Sequence, residues 1–532
     1  MAIADVRELR RAFDAAHSSG DFSLALHEIH EAWPLFVDTS GASLRLMLDS
    51  TPHDLWHSDP WLITCYAASF RSADAASRTA ALPYFEAALA LLTPETPAFV
   101  RATVYVRYAT ALRSLGRLND AFAAIATASL IAESQDVIPL ARRIPLTAEI
   151  ALQRGAVSLH AGDFDRAKID LRLASSLAET SLSVANQLEV FGCLALIQLL
   201  LGDFEHALNY VARAESTGAS PALRGSHFNA PALITDLVVR IYQRGSDGLT
   251  PLVTIVREAT ADSDWEPLGL YAHAFVELFD AHPHEGLEHL RQAQLALDGW
   301  QPSGFVASEI RGLRTAACAQ LGDSGAAWDA LDGFTPTQHH TVCPARLVAH
   351  LRFVTGDARG ALDAIRECEL LGDAHSSRNL TDVYLLKGAA HLALGSQDQS
   401  DVAFDRALRL AARNRMHSPF RLVPSEAVQD MLTRAASRSQ DADVRALITR
   451  LDGLTVLLPA RDSHTLSDRE RAIARELVRG RNSAEIAETL FISVNTVKSH
   501  LKSIYRKLGV TSRVEAIHKS RELGLQVDIT LD

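Results

Sequence analysis

Between Ser493 and Leu508 the chain reads SVNTVKSHLKSIYRKL, and its residue types suggest a chemistry once it is wound into a helix. At about 100° per residue, Val497, Leu501, Ile504 and Leu508 fall on one narrow apolar stripe. Asn495, Ser499, Lys502 and Arg506 share the opposite face, with Lys498 at its edge. That second face holds donors, small groups and positive charge. It suits a duplex groove, where base edges accept hydrogen bonds and flanking phosphates attract cations. On charge alone such a face is more ordinarily a solvated surface, so the elements that position it must decide.

Those elements are marked by their caps. Ser467 and Glu470 have capping-box spacing, and Gly480 closes the helix they open. Asn482 with Glu485 opens a short second helix, Phe491-Ile492 forms the turn, and Ser493 caps a third helix running to Gly509. Ser512 with Glu515 caps a fourth. Two helices joined by a short turn, the second one basic, match the helix-turn-helix pattern.

The segment resembles a LuxR-type helix-turn-helix domain. The match runs through Leu466-Ser467, Arg469-Glu470, Gly480, Glu485-Ile486-Ala487, Ile492-Ser493, Thr496-Val497-Lys498, His500, Lys507-Leu508-Gly509-Val510, Arg513 and Glu515-Ala516. The resemblance implies that Lys498, Ser499 and Lys502 read bases or their neighbouring phosphates on double-stranded DNA. It implies that Ser493, Thr496 and Arg513 are backbone contacts or caps, and that the fourth helix pairs two copies through Val514, Ile517 and Arg521. His500 is expected to pack rather than to read bases. The last DNA-binding region of sigma factors shares the Thr-Val-Lys signature. Those sequences usually carry Arg at the place of His500 and end soon after the helix, whereas this chain continues into Lys507-Leu508-Gly509-Val510 and a further helix.

Charge placement agrees. From Thr465 to Asp532 there are 12 Lys+Arg against 9 Asp+Glu, a net +3, leaving 40 against 55, or −15, for the other 464 residues. Four of the six lysines (Lys498, Lys502, Lys507, Lys519) lie in that tail. An acidic body with a basic tail is expected when one domain touches DNA and the other does not.

The body reads as Ala/Leu-rich helices with recurring breaks and no convincing strand. Gly20-Asp21, Gly116-Arg117, Gly162-Asp163, Gly202-Asp203, Gly322-Asp323, Gly356-Asp357 and Gly395-Ser396 each precede a new helical pattern, with weaker copies near Ser72, Gly245 and His282. The steps Gly116 to Gly162, Gly162 to Gly202, Gly322 to Gly356 and Gly356 to Gly395 are 46, 40, 34 and 39 residues. A two-helix unit of this length cannot bury its own apolar face, so neighbours must stack into a solenoid. This resembles tetratricopeptide repeats in the looser form found in MalT-like regulators. The expected architecture is all-α: a repeat solenoid over 1–413, a connector at 414–464 and the DNA-binding domain at 465–532. The connector carries a helix from Ser425 and a hinge, DGLTVLLPARDSHT.

Other chemistries find less support. The five cysteines are scattered and never form a C-x-x-C pair, which suits free thiols in a reducing cytoplasm. His339-His340 with Cys343 invites a metal reading, but DGFTPTQHHTVCPARL reads as a polar loop before a helix. MalT-like regulators begin with an ATPase. Here no G-x-x-x-x-G-K-[ST] occurs, and Lys168 and Lys387, the only lysines of the body, follow no Gly-rich loop. No strand-borne acids for a receiver stand near the N-terminus, and a mixed α/β lactone sensor is incompatible with a solenoid. The N-terminal stretch lacks the apolar block of a signal peptide, and no membrane-spanning run is read. The expectation is a cytoplasmic, non-enzymatic transcription regulator without cofactor. It binds DNA as a homodimer and receives a small-molecule or protein effector on its solenoid. The alternative is a repeat-based adaptor in which DNA binding is secondary.

Overall fold

The computed structural model describes residues 5–71, 75–133, 138–300, 304–423, 425–451, 466, 468–490, 492–508 and 510–522. Every regular element among them is helical. The breaks legible in the sequence are the joints of this structure. Gly20, Gly116, Gly162, Gly202, Gly322, Gly356 and Gly395 all have φ between 72° and 86°, the left-handed conformation that closes a helix.

The residue after the glycine completes the stop and starts the next helix. The Asp163 N–H bonds the Ser158 carbonyl at 2.9 Å, and Asp203, Asp323 and Asp357 repeat that bond one turn back. Their carboxylates then accept from the backbone three residues on, Asp163 from Arg166 at 3.1 Å and Asp357 from Gly360 at 2.9 Å. One dipeptide thus satisfies orphan groups on both sides of the turn. Five residues after each glycine a small residue is buried: Ala25, Ala121, Ala167, Ala207, Ala327, Ala361 and Ser400 are all at most 1% exposed. These are the points where the second helix lies on the first. Phe22–Asp49 returns along Val6–Ser18, Phe164–Ser181 along Leu140–Ala161, Ala358–Ala364 along Pro344–Val354, and Gln397–Asn414 along Ser377–Ala393.

Stacking of these hairpins yields apolar clusters over 9–104, 98–157 and 148–451. Val184–Leu201 is the one helix among the described residues long and apolar enough to cross a membrane, and 83% of it is buried within the stack. The helix Ser425–Arg438, expected inside a connector, instead buries Val428, Met431, Leu432 and Ala435 in the same core. Ala442–Leu451 adds Val444, Leu447 and Leu451. The stack therefore extends past 413, because both helices carry an apolar stripe that the last hairpin covers. The expected hinge at 452–465 lies outside the described residues, as does Ser72.

The middle of the stack also holds charge. Arg71 bridges Asp38 at 3.2 Å and Glu189 at 2.5 Å, and Arg107 bridges Asp38 at 3.0 Å and Glu149 at 2.6 Å. Arg113, 1% exposed, pairs with Glu189 and Asp264, both at 2.6 Å. Burial pushes the Asp264 carboxyl up, but Arg113, His160 and His227 more than reverse this and hold it at about 2. The His160 ring lies 4.5 Å from that of Trp265, tilted by 33°; burial, helped by Arg113, pulls His160 down to about 4, and burial does the same to His227.

Both histidines have folded values below the unfolded 6.5, so the unfolded chain binds protons that the folded chain refuses between pH 6.5 and 4. Stability is full above that window and falls as pH drops through it. The ion pairs of Asp264 yield only at lower pH, between 3.8 and 2. Urea unfolding across pH 4 to 7 is expected to show this decline. His160→Gln should flatten the slope by up to about one proton; an unchanged slope contradicts the assignment.

Candidate nucleic-acid interface

The C-terminal helices Asp468–Val478, Ser483–Thr489, Val494–Leu508 and Arg513–Glu522 enclose a core of their own. Ile473, Leu477, Ile486, Val497, Ile504 and Ala516 are fully buried in it. The caps expected from sequence are in place. Asn482 and Glu485 form a reciprocal capping box, with Asn482 Oδ1 accepting from Ala484 and Glu485 at 2.9 and 3.1 Å. Ser493 Oγ accepts from the Thr496 N–H at 3.1 Å, and Ser512 Oγ from Glu515 at 3.1 Å. The Thr511 backbone N–H, first among several donors, holds the Glu515 carboxyl below its usual range. Ser467, Phe491 and Gly509 lie outside the described residues.

Val494–Leu508 is amphipathic as its spacing requires. Val497, Leu501 and Ile504 are buried and Leu508 packs beside them, while Asn495, Lys498, Ser499 and Lys502 are exposed together. Ser493 is exposed, and Thr496 and His500 are half-buried. The Arg506 side chain lies outside the described residues. Arg513 is turned inward, its Nη2 donating to the Arg481 carbonyl and tying the fourth helix to the turn ahead of the second. Of the expected pairing positions, Val514 is 76% exposed, Arg521 is exposed and Ile517 is half-buried against the domain core.

Three features have no local signal in the sequence. Lys507, counted above among the tail lysines, does not join the basic face; it pairs at 2.7 Å with Glu470, which is 4% exposed. Arg475 of the first helix reaches Asp357 of the repeat stack at 2.7 Å, with Arg471 at 3.8 Å, and Arg513–Glu522 lies against Ser324–Leu331. The third is a cleft in the stack, walled by Tyr242, Tyr271, Phe275 and Phe279. Its floor is charged: Arg378 pairs with Glu309 at 3.0 Å, Arg346 with Asp382 at 2.8 Å, and the Tyr271 hydroxyl donates to Glu309 at 2.9 Å. Burial raises the Asp382 carboxyl despite Arg346 and Arg378.

The stretch read as a polar loop also differs from expectation. Val342 and Cys343 are buried, and Cys343 caps Pro344–Val354. The residues that enclose it, Cys368 and His375, stand too far along the chain for spacing to reveal them.

Asn482→Ala removes two accepted hydrogen bonds at the entry to the second helix. It is expected to lower the stability of the C-terminal domain by about 1 kcal/mol, measured by hydrogen exchange of its core amides; no change contradicts the cap.

Residues 464–520 match the model of "Bacterial regulatory proteins, luxR family". The chain is similar to the HTH-type transcriptional activator RamA of Corynebacterium glutamicum, 34% identical over 18% of this chain and 34% of that protein. It is also similar to the transcriptional regulatory protein DesR of Bacillus subtilis, 38% identical over 12% of this chain and 32% of that one. The matches therefore span about a third of the length of those relatives. Among solved structures, a chain of the APC/C hetero-tetramer Cut9-Hcn1 covers 84% of this chain at 12% identity, with a TM-score of 0.39. Residues 464–520, with a self-contained core and an exposed basic helix, are a LuxR-family DNA-binding domain at the end of an all-α repeat stack.

Proposed function

We propose that this protein is a sequence-specific transcription regulator that binds DNA as a homodimer and receives its signal in the repeat stack. The observation that carries the first half is the exposed face of Asn495, Lys498, Ser499 and Lys502 on a helix whose other side is buried. Such a helix enters a major groove with its donors toward base edges and its lysines toward phosphates. Ser493 and Thr496, at the helix start, are the candidates for a phosphate oxygen, and Arg506 is assigned to the same face by its sequence spacing alone. Arg513 serves by fixing the fourth helix, through which Val514, Ile517 and Arg521 pair two copies. A regulator of this kind works in the cytoplasm, and the reading requires neither catalysis nor a cofactor.

The second half rests on the cleft and on what adjoins it. Aromatic walls with a charged floor are the composition of small-ligand sites. The floor residue Arg346 lies on Pro344–Val354, and the joint after that helix carries Asp357, which holds Arg475 of the DNA-binding domain. A ligand that shifts this helix changes how the domain is held, and hence how two recognition helices are spaced.

Lys502→Ala is expected to weaken binding to a duplex selected by the full chain by about 1–3 kcal/mol and to reduce the salt dependence of binding. Equal affinity and an unchanged salt slope in a fluorescence titration would falsify the groove assignment. Asp357→Asn frees Arg475 and is expected to alter the affinity of the full-length protein severalfold, the scale of an allosteric coupling. If instead affinity stays the same, the contact does not transmit the signal.

A further inference from the structure

His340, Cys343, Cys368 and His375 offer one ligand atom each, and these four atoms lie within 4.8 Å of one another. They come from three segments: the turn Gln338–His340 with the cap of Pro344–Val354, the helix Arg366–Leu371, and the residues just before Ser377–Ala393. We propose that they bind a single zinc ion in a closed tetrahedral Cys2His2 site that staples this hairpin of the stack.

The donor set and the distances fit. Zinc bonds of about 2.3 Å to sulfur and 2.0–2.1 Å to nitrogen put tetrahedral ligands roughly 3.3–3.8 Å apart. The Cys343 and Cys368 sulfurs are 3.4 Å apart and Cys368 Sγ is 4.0 Å from His340 Nδ1. The widest pair, within 4.8 Å, has to shorten by about 1–1.5 Å to close the shell. Two thiolates and two neutral imidazoles make the loaded site electrically neutral, as a buried site requires.

The surroundings of the ligands point the same way. His375 is 4% exposed, and its Nδ1 lies 3.0 Å from the Ser376 carbonyl, to which it donates. Its Nε2 is left buried with no hydrogen-bond partner. A backbone carbonyl fixing the far nitrogen is the usual outer support of a metal-bound histidine. Cys343 Sγ accepts from the Arg346 backbone N–H at 3.4 Å, at the first turn of a helix whose dipole favours a thiolate.

The backbone that presents His340 is held in an unfavoured shape. His339 and His340 both have positive φ, 54° and 48°, a left-handed conformation that residues other than glycine seldom adopt. Asn379 Nδ2 clamps the turn through the carbonyls of His340 and Thr341 at 2.9 and 2.6 Å, and Arg378 reaches the latter at 2.8 Å. A strained turn so held is characteristic of a functional site. Asn379 and Thr341 also line the cleft, so the ion sets the shape of one cleft wall.

The test is metal content of the full-length protein purified under reducing conditions without chelator, measured by plasma mass spectrometry. About one zinc per chain is expected. Cys343→Ser and His375→Ala should each retain less than about a tenth of that, and Cys318→Ser, a cysteine outside the cluster, should keep it. Because a ligand variant can misfold, wild-type protein stripped and reloaded with Co2+ supplies a second reading. Visible d–d bands of thiolate-ligated tetrahedral Co2+ support the site. Absence of zinc from the wild type together with absence of those bands overturns it, as does a Cys343–Cys368 disulfide in the reduced preparation. Neither readout depends on DNA binding, so the outcome leaves the reading of the C-terminal domain untouched.

Discussion

A helix pair whose two apolar faces exceed what the pair can cover has no interior of its own, and this protein's body is built under that constraint. Its solution is the repeated joint in which a left-handed glycine stops one helix and the next residue, usually aspartate, caps its successor. The joint sets the angle of return, and the small residue five places after the glycine sets the depth of contact. At Gly202 a Cβ atom would stand 2.3 Å from the Arg378 backbone nitrogen, so the same glycine also lets distant hairpins meet. Because each pair leaves surface bare, the stack continues until something covers the end; here that is the pair of helices between 425 and 451.

Charge inside the stack has a different consequence from apolar burial. Paired arginines and carboxylates add little net stability over apolar residues of equal size, but breaking one pair strands a buried charge. Asp38, Arg71, Arg107, Glu149, Glu189, Arg113 and Asp264 come from segments far apart in sequence and satisfy one another only in one register. The network thus discriminates against slipped stacking, to which a row of similar Ala/Leu helices is otherwise prone.

Pro344–Val354 is where the separate features converge. Cys343 of the four-residue cluster caps its start, Arg346 and His350 face the cleft, and the joint that ends it carries Asp357, the partner of Arg475. A short rigid element with a staple at one end and an ion pair at the other is suited to passing a displacement along its axis. Lys498 and Lys502 stay exposed while this contact is made, so docking leaves the basic face of Val494–Leu508 accessible.

Periodicity, caps and charge distribution are local properties, and the sequence alone determined what depends on them. The helical class, the glycine joints, the four C-terminal helices and the two faces of Val494–Leu508 all follow from residues within a turn or two of each other. What only the tertiary structure decided involves partners far apart in the chain. Lys507 belongs to Glu470 and not to the basic face, Arg513 turns to the Arg481 carbonyl, and the expected connector helix completes the solenoid. His340 and Cys343, which read as a polar loop, meet Cys368 and His375 only because the hairpin between them folds back. Spacing rules see neighbours along the chain; these contacts are made by stacking, whose register depends on the whole array of joints.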